Sequence, residues 1–137
     1  MSIDLLFSHF VEPSLGFDTP VFLTDFPHEM ASLAKTKNDE DGELVAARFE
    51  LYIEGLELAN AYDELIDANI LRARFEVDNI EREKLGLHVM PIDEYLLSAL
   101  PNMTECSGIA LGIDRLLMIA TNQMKLEKVI AFPAHIS

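Results

Sequence analysis

One cysteine, Cys106, stands in the 137 residues of this chain. A lone thiol excludes an internal disulfide and any zinc site built from several cysteines, and it fits a reducing compartment. Basic residues are also scarce: 10 Lys and Arg against 24 Asp and Glu leave a formal net charge of −14. Non-specific affinity for nucleic acid comes mostly from Lys and Arg, so a surface this negative repels phosphate backbones and no direct nucleic-acid binding is expected. Long apolar runs are missing. The run Leu116 to Ala120 is far too short to cross a bilayer. The first 20 residues hold Asp4, His9, Glu12 and two prolines, with no basic region and no extended apolar core, so no secretory signal is expected. These absences together point to a cytoplasmic protein without a membrane partner. The four histidines (His9, His28, His88, His135) share no metal-ligand spacing and read as surface or packing residues.

What is present suits a folded domain. Half the residues are apolar, enough for a real core in a chain about one domain long. No repeat or low-complexity block divides it, so residues 1–137 are expected to form one domain. A short amphipathic stretch (Ile3, Leu5, Leu6, Phe10, Val11) ends at Pro13 and Gly16, and Pro20 to Phe26 reads as a strand stopped by Pro27. Residues 36–43 are polar and turn-rich and read as a surface loop. From Arg48 to Glu64 apolar and polar residues alternate on both sides of Glu54-Gly55, the pattern of a β-hairpin. A two-residue loop gives one wholly apolar face (Phe49, Leu51, Ile53, Leu56, Leu58) and one carrying Glu50, Tyr52 and Glu57. Asp67 to Leu87 reads as a helix with Ile70, Ala73, Val77 and Ile80 on its apolar face, stopped by Gly86. A second helix covers Pro91 to Leu97, ending near Pro101. Ser107 to Gly112 reads as a strand, Ile113 to about Gln123 as a helix, and Val129 to Phe132 as a strand or extended tail. The fold class is α+β with a mainly antiparallel sheet.

Two groups of residues invite chemistry. Glu50 and Glu57 are diagonal neighbours on one hairpin face, where two carboxylates can hold a divalent cation through oxygen; the pattern alone favours a solvated sheet face. The run Ser107-Gly-Ile-Ala-Leu-Gly-Ile-Asp-Arg115 puts two glycines in or beside a strand and a charged pair at the start of a helix. Glycine permits close approach of a ligand to the backbone, and a guanidinium there can clamp phosphate oxygens. The competing reading is strand–helix packing with an Asp114–Arg115 surface pair. Met90, Met103, Met118 and Met124 read as core filler, and Cys106 as an inert buried thiol.

The run Phe49 to Asp67 (FELYIEGLELANAYDELID) followed by CSGIALGIDRL resembles the C-terminal half of the class II lysyl-tRNA synthetase catalytic core. Leu58-Ala59-Asn60, the Cys106-Ser107-Gly108 lead-in and Ala110 are most similar to its tRNA-independent branch, the elongation factor P β-lysine ligases. Phe10-Val11-Glu12-Pro13, Pro27 and Ser32-Leu33-Ala34 extend the likeness over nearly the whole chain. The resemblance implies a class II aminoacyl-tRNA synthetase-like antiparallel sheet of six strands flanked by helices. It implies an ATP- and Mg²⁺-dependent ligase that activates lysine or β-lysine as an adenylate and transfers it to a lysine of elongation factor P.

By the same resemblance, Glu57 and Leu58 contact ATP, Glu50 and Glu57 lie near Mg²⁺ and the phosphates, and Gly112 and Arg115 complete the nucleotide site. Arg115 is the residue that stabilises the departing pyrophosphate. Asn60, Tyr62 and Glu64 read the amino groups and methylenes of the amino acid. Ala110 replaces the glycine of the synthetases; one methyl on the pocket floor is worth on the order of 1–3 kcal/mol and is expected to tilt the site toward a β-amino acid.

Strict alternation would put Asn60 and Tyr62 on the apolar hairpin face, so either the strand bulges near Ala61 or the loop exceeds two residues. The chain also departs from the family pattern. Ala61 replaces the usual glycine before the aromatic residue. Motif 3 is present at about residues 105–122, but motif 1 and motif 2, with the arginine that grips the α-phosphate, are not among these residues. The chain alone is therefore expected to be inactive, and its uncovered half-fold to self-associate as a homo-oligomer. The alternatives are the corresponding part of a lysyl-tRNA synthetase and a non-catalytic interaction protein retaining the half-fold.

Overall fold

Two adjacent residues in the left-handed region, Glu54 (φ 52°) and Gly55 (φ 74°), turn the chain back on itself at its centre. Two such residues make the hairpin turn whose twist matches that of antiparallel strands. They join β3 (Leu44–Ile53) to β4 (Leu56–Asp63) in a computed structural model that describes residues 3–133. With β1 (Val21–Pro27), β2 (Thr36–Asn38) and β5 (Ser107–Leu111), these strands form one sheet in the order β1-β3-β4-β5, with β2 pairing β3. Helices α1 (Ile3–Leu6), α2 (Ala68–Lys84), α3 (Glu94–Ala99) and α4 (Ile113–Ala120) complete an α+β architecture. The described residues hold five sheet strands rather than six.

β2 corrects the loop expected at residues 36–43. Thr36, Lys37 and Asn38 pair antiparallel with Ala46, Val45 and Leu44. Asp39 then closes the turn by accepting from the N–H groups of Asp41 (3.0 Å) and Glu43 (2.8 Å). The segment is polar because the strand is exposed at all three positions. At the other end, Val129 to Phe132 form a turn and bends instead of a strand, and His135 lies outside the described residues.

The chain divides into two compact units, and the four strands along the main sheet path each contribute residues to both. The first comprises residues 1–24, 49–61 and 109–137. In it α1 runs into a π-helical turn (Phe7–Val11) and a 3₁₀ turn (Glu12–Ser14). Gly16 follows with φ 78°, and a Cβ there would overlap the backbone of Tyr52 and lie 2.8 Å from Cα of Ile53. This close approach lets the carbonyls of Gly16 and Leu15 accept from the N–H groups of Glu54 (2.9 Å) and Gly55 (2.8 Å). The N-terminal segment thus holds the hairpin turn. Tyr52, Leu58, Ala59, Ala61 and Met118 are buried in this unit.

The buried face of β3 is the reverse of the one expected. Glu50 and Tyr52 are buried, whereas Phe49, Leu51 and Ile53 are only partly so. A polar group can be internal when it finds a partner, and Tyr52 and Glu50 pair with each other. Of the four methionines expected as core filler Met118 is buried, whereas Met90, Met103 and Met124 are exposed, as is the thiol of Cys106, whose carbonyl accepts from the N–H of Glu64.

The second unit comprises residues 25–48 and 62–108. Asp67 caps α2 by accepting from Asn69 (2.8 Å) and Ile70 (3.1 Å), and Asp93 caps α3 by accepting from Leu96 (3.0 Å). Gly86 (φ 69°) lies beyond the end of α2. The core is Leu65, Leu71, Leu97 and Leu100, with Ala68, Phe75, Ile92 and Leu96 packed on it. α2 therefore buries the Leu71/Phe75 side. The expected stripe faces outward: Ile70, Val77 and Ile80 are about half exposed, and Ala73 is exposed too. Both stripes have helical spacing; the larger pair at i, i+4 is the one that meets α3. Arg72 pairs with Glu94 across α2 and α3, and Arg74 donates to the carbonyls of Ser32 and Ala34, 2.7 Å each.

Candidate functional site

Four of the residues singled out by sequence meet at the junction of β4 and α4 in the first unit. The N–H of Gly112 donates to the carbonyl of Leu58 (2.8 Å), tying the start of α4 to β4. One turn on, Arg115 Nη1 donates to the carbonyl of Glu57 (2.5 Å) and lies 3.8 Å from its Oε2. Arg115 thus pairs with Glu57, not with its neighbour Asp114. Both side chains keep substantial exposure, 50% and 35%, and an ion pair so exposed is worth no more than about 1 kcal/mol, so it yields readily to a ligand. The side chain of Leu58 is buried, which leaves its backbone as the part beside Gly112 and Arg115. Gly112 has neither a positive φ nor a crowded Cβ position: an added methyl would meet Arg115 and Leu58 at an ordinary 3.5 Å. Nothing in the fold of this unit requires glycine there.

A buried polar cluster lies on β3 of the same unit. The Tyr52 hydroxyl donates to Glu50 Oε2 at 2.6 Å, and Glu12 Oε1 lies 3.3 Å from the same hydroxyl. Burial first, then the hydrogen bond and charge of Glu50, hold the Tyr52 phenol far above its ordinary value. Asn60 Nδ2 lies 3.5 Å from Glu50 Oε1, while the amide oxygen of Asn60 is buried with no hydrogen-bond partner among the described residues. The loop has two residues, so strict alternation would turn Asn60 away from Glu50. Leu58 and Ala59 are buried at consecutive positions, so burial along β4 does not follow strict alternation. Ala110 is exposed on β5.

The second unit holds Tyr62 and Glu64. Arg48 Cζ sits 4.4 Å from the ring centroid of Phe26 and 5.2 Å from that of Tyr62, and Nη1 donates to the carbonyl of Met30 (2.9 Å). The guanidinium therefore fixes the Tyr62 ring by cation–π attraction. Lys35 pairs with Asp63 at 3.0 Å, between Tyr62 and Glu64 in sequence.

Sequence reasoning passed over Glu12, Arg48 and Tyr52. The signal for the latter two was available: 48, 50 and 52 alternate onto one strand face. Glu12 had none, because a fold-back at Gly16 brings it in. Among the described residues no group of three or more His, Cys, Asp or Glu could hold a metal ion by itself. No helix among them is long and apolar enough to cross a membrane.

The profile of the class II tRNA synthetases (D, K and N) matches residues 12–136. The chain belongs to the class II tRNA synthetase family. Within that family it is 50% identical over 131 residues to the elongation factor P–(R)-β-lysine ligase of Pectobacterium atrosepticum, covering 95% of this chain and 40% of that one. It is 47% identical over 134 residues to the ligase of the same name from Proteus mirabilis (97% and 41%). It is 48% identical over 131 residues to that of Mannheimia succiniciproducens (95% and 40%). The chain spans about two fifths of the length of the curated relatives it matches.

Proposed function

We propose that this chain is the C-terminal part of a class II catalytic domain, with motif 3 near residues 105–122, that activates lysine or β-lysine with ATP and passes it to a lysine of elongation factor P in the cytoplasm. The observation that carries this reading is the convergence of Glu57, Leu58, Gly112 and Arg115 in one unit, in a chain half identical to a ligase named for that reaction.

In this reading the carboxylate of the amino acid attacks the α-phosphorus of ATP and pyrophosphate leaves. The ε-amine of the acceptor lysine then displaces AMP. Arg115 releases Glu57 and takes up the negative charge developing on the leaving phosphates, where a fixed guanidinium is most effective. Gly112 lets the nucleotide approach the backbone. Glu50 and Glu57 fit a Mg²⁺ ion that arrives with the phosphates. Such an ion is usually held by one or two carboxylates plus phosphate oxygens, the number of carboxylates Glu50 and Glu57 would supply. Bound there, Mg²⁺ would neutralise phosphate charge. The unpartnered amide oxygen of Asn60 is an acceptor for an ammonium, Glu64 supplies a carboxylate to another, and the Tyr62 ring held by Arg48 packs the methylenes. Ala110 tilts selection toward the β-amino acid. Self-association belongs to the same reading: Ile109, Leu111, Ile113, Leu116 and Leu117 are all exposed on β5 and α4.

The chain alone, with no motif 2 arginine among its residues, gives no lysine-dependent ATP–pyrophosphate exchange. A chimera in which it replaces the matching two fifths of the Pectobacterium ligase exchanges with β-lysine and loses exchange with Glu57→Gln or Arg115→Ala. A folded chimera that is inert, or active whichever of these residues is changed, overturns the proposal.

A further inference from the structure

Glu64 is fixed twice through its backbone: its N–H donates to the carbonyl of Cys106 (3.0 Å), and it faces Ala34 in an isolated antiparallel bridge. Only its side-chain torsions are left to place its carboxylate. That carboxylate lies over Gly108 on β5. A Cβ built at Gly108 would overlap Oε1 of Glu64, and its next two neighbours would be Cδ (3.4 Å) and Cγ (3.9 Å) of the same side chain. Gly108 has no positive φ, so backbone conformation does not ask for glycine here. Among the described residues the Glu64 carboxylate accepts no hydrogen bond and joins no ion pair, although the residue is half buried. A half-buried carboxylate without a partner, kept in place by the absence of one methyl group, is poised for a cation that is not part of the chain.

We propose that Gly108 is a positioning residue that sets the amine-reading carboxylate: its missing Cβ is the space in which Glu64 stands. The inference rests on the reading above that Glu64 meets an ammonium of lysine or β-lysine. Alanine at this position deflects the free end of a flexible side chain and leaves the backbone alone, so the fold tolerates it while recognition does not.

The test is an NMR titration of the full chain with L-lysine and with (R)-β-lysine in the presence of Mg·ATP, on the wild type, Gly108→Ala, Glu64→Asp, the double variant and Glu64→Gln. Gly108→Ala is expected to weaken binding of the preferred amine by about tenfold or more, with a thermal midpoint near that of the wild type. Added to Glu64→Asp it changes binding less than about twofold, because the shortened side chain no longer meets the new methyl. Equal binding by wild type and Gly108→Ala, or an equal loss in both Glu64 and Glu64→Asp backgrounds, overturns the inference. If Glu64→Gln abolishes binding and Gly108→Ala does not, only the role of Gly108 falls. If the wild type binds neither amine, the role of Glu64 falls and that of Gly108 with it.

Discussion

Tyr52→Phe removes one oxygen from the interior of the first unit, and its consequences can be worked out in size and in pH dependence. The side chain is 1% exposed and donates a 2.6 Å hydrogen bond to the buried Glu50. A hydrogen bond to a charged group contributes about 1.5–3 kcal/mol, and Asn60 at 3.5 Å is too far to replace it. The variant should therefore be less stable by about 2 kcal/mol at pH 7. Because the phenol is raised far above its ordinary value in the folded chain, it keeps its proton there while the unfolded chain loses one above about pH 10. This stabilisation is fully present below pH 10 and fades as the pH rises toward the folded value. By pH 11 ionisation of the unfolded tyrosine should remove about 1.4 kcal/mol of it. Urea unfolding of both proteins at pH 7, 9, 10 and 11 should show a constant gap up to pH 9 that narrows beyond pH 10. A gap under about 0.5 kcal/mol at pH 7, or one that does not change with pH, refutes the reasoning.

Three other perturbations follow from the packing. Leu71→Ala should cost about 2–5 kcal/mol while Val77→Ala on the outward stripe of α2 stays within about 0.5 kcal/mol, which chemical denaturation would rank. Gly16→Ala forces a methyl against the Tyr52 backbone at a positive φ and should cost about 2–4 kcal/mol, seen as a lowered denaturation midpoint. Arg72 holds the Glu94 carboxyl below its usual value, so its contribution is present above the ordinary carboxylate range and lost as pH falls through the folded value. Glu94→Gln should thus be the less stable protein at pH 7, with the difference closing in acid; a gap that widens in acid contradicts the pairing.

The elements written in local chemistry are legible in the sequence itself. Glu54-Gly55 announces the hairpin, Asp67 and Gly86 the ends of α2, and Ser107 to Arg115 the strand–helix junction that brings Arg115 to Glu57. What failed was decided at long range. β2 reads as loop because an exposed strand has no apolar alternation to show. α2 carries two helical stripes, and only the presence of α3 on the Leu71 side selects between them. The Glu50 and Tyr52 face looked solvated because nothing near them in sequence reveals that Glu12 and Asn60 will close over it. The candidate site shows the same division: Glu57, Gly112 and Arg115 are singled out by the motifs and the family resemblance, and the alternation of Arg48, Glu50 and Tyr52 is there to read, whereas Glu12 is brought to them by a fold-back with no local signal.

Glu57, Gly112 and Arg115 are proposed to hold a nucleotide. Calorimetric titration of the chain with ATP, with and without Mg²⁺, tests this most directly. Mg²⁺-dependent binding is expected, and Arg115→Ala and Glu57→Gln should each weaken it by about tenfold or more. No heat of binding from the folded wild type, or the same affinity in all three proteins, would contradict it.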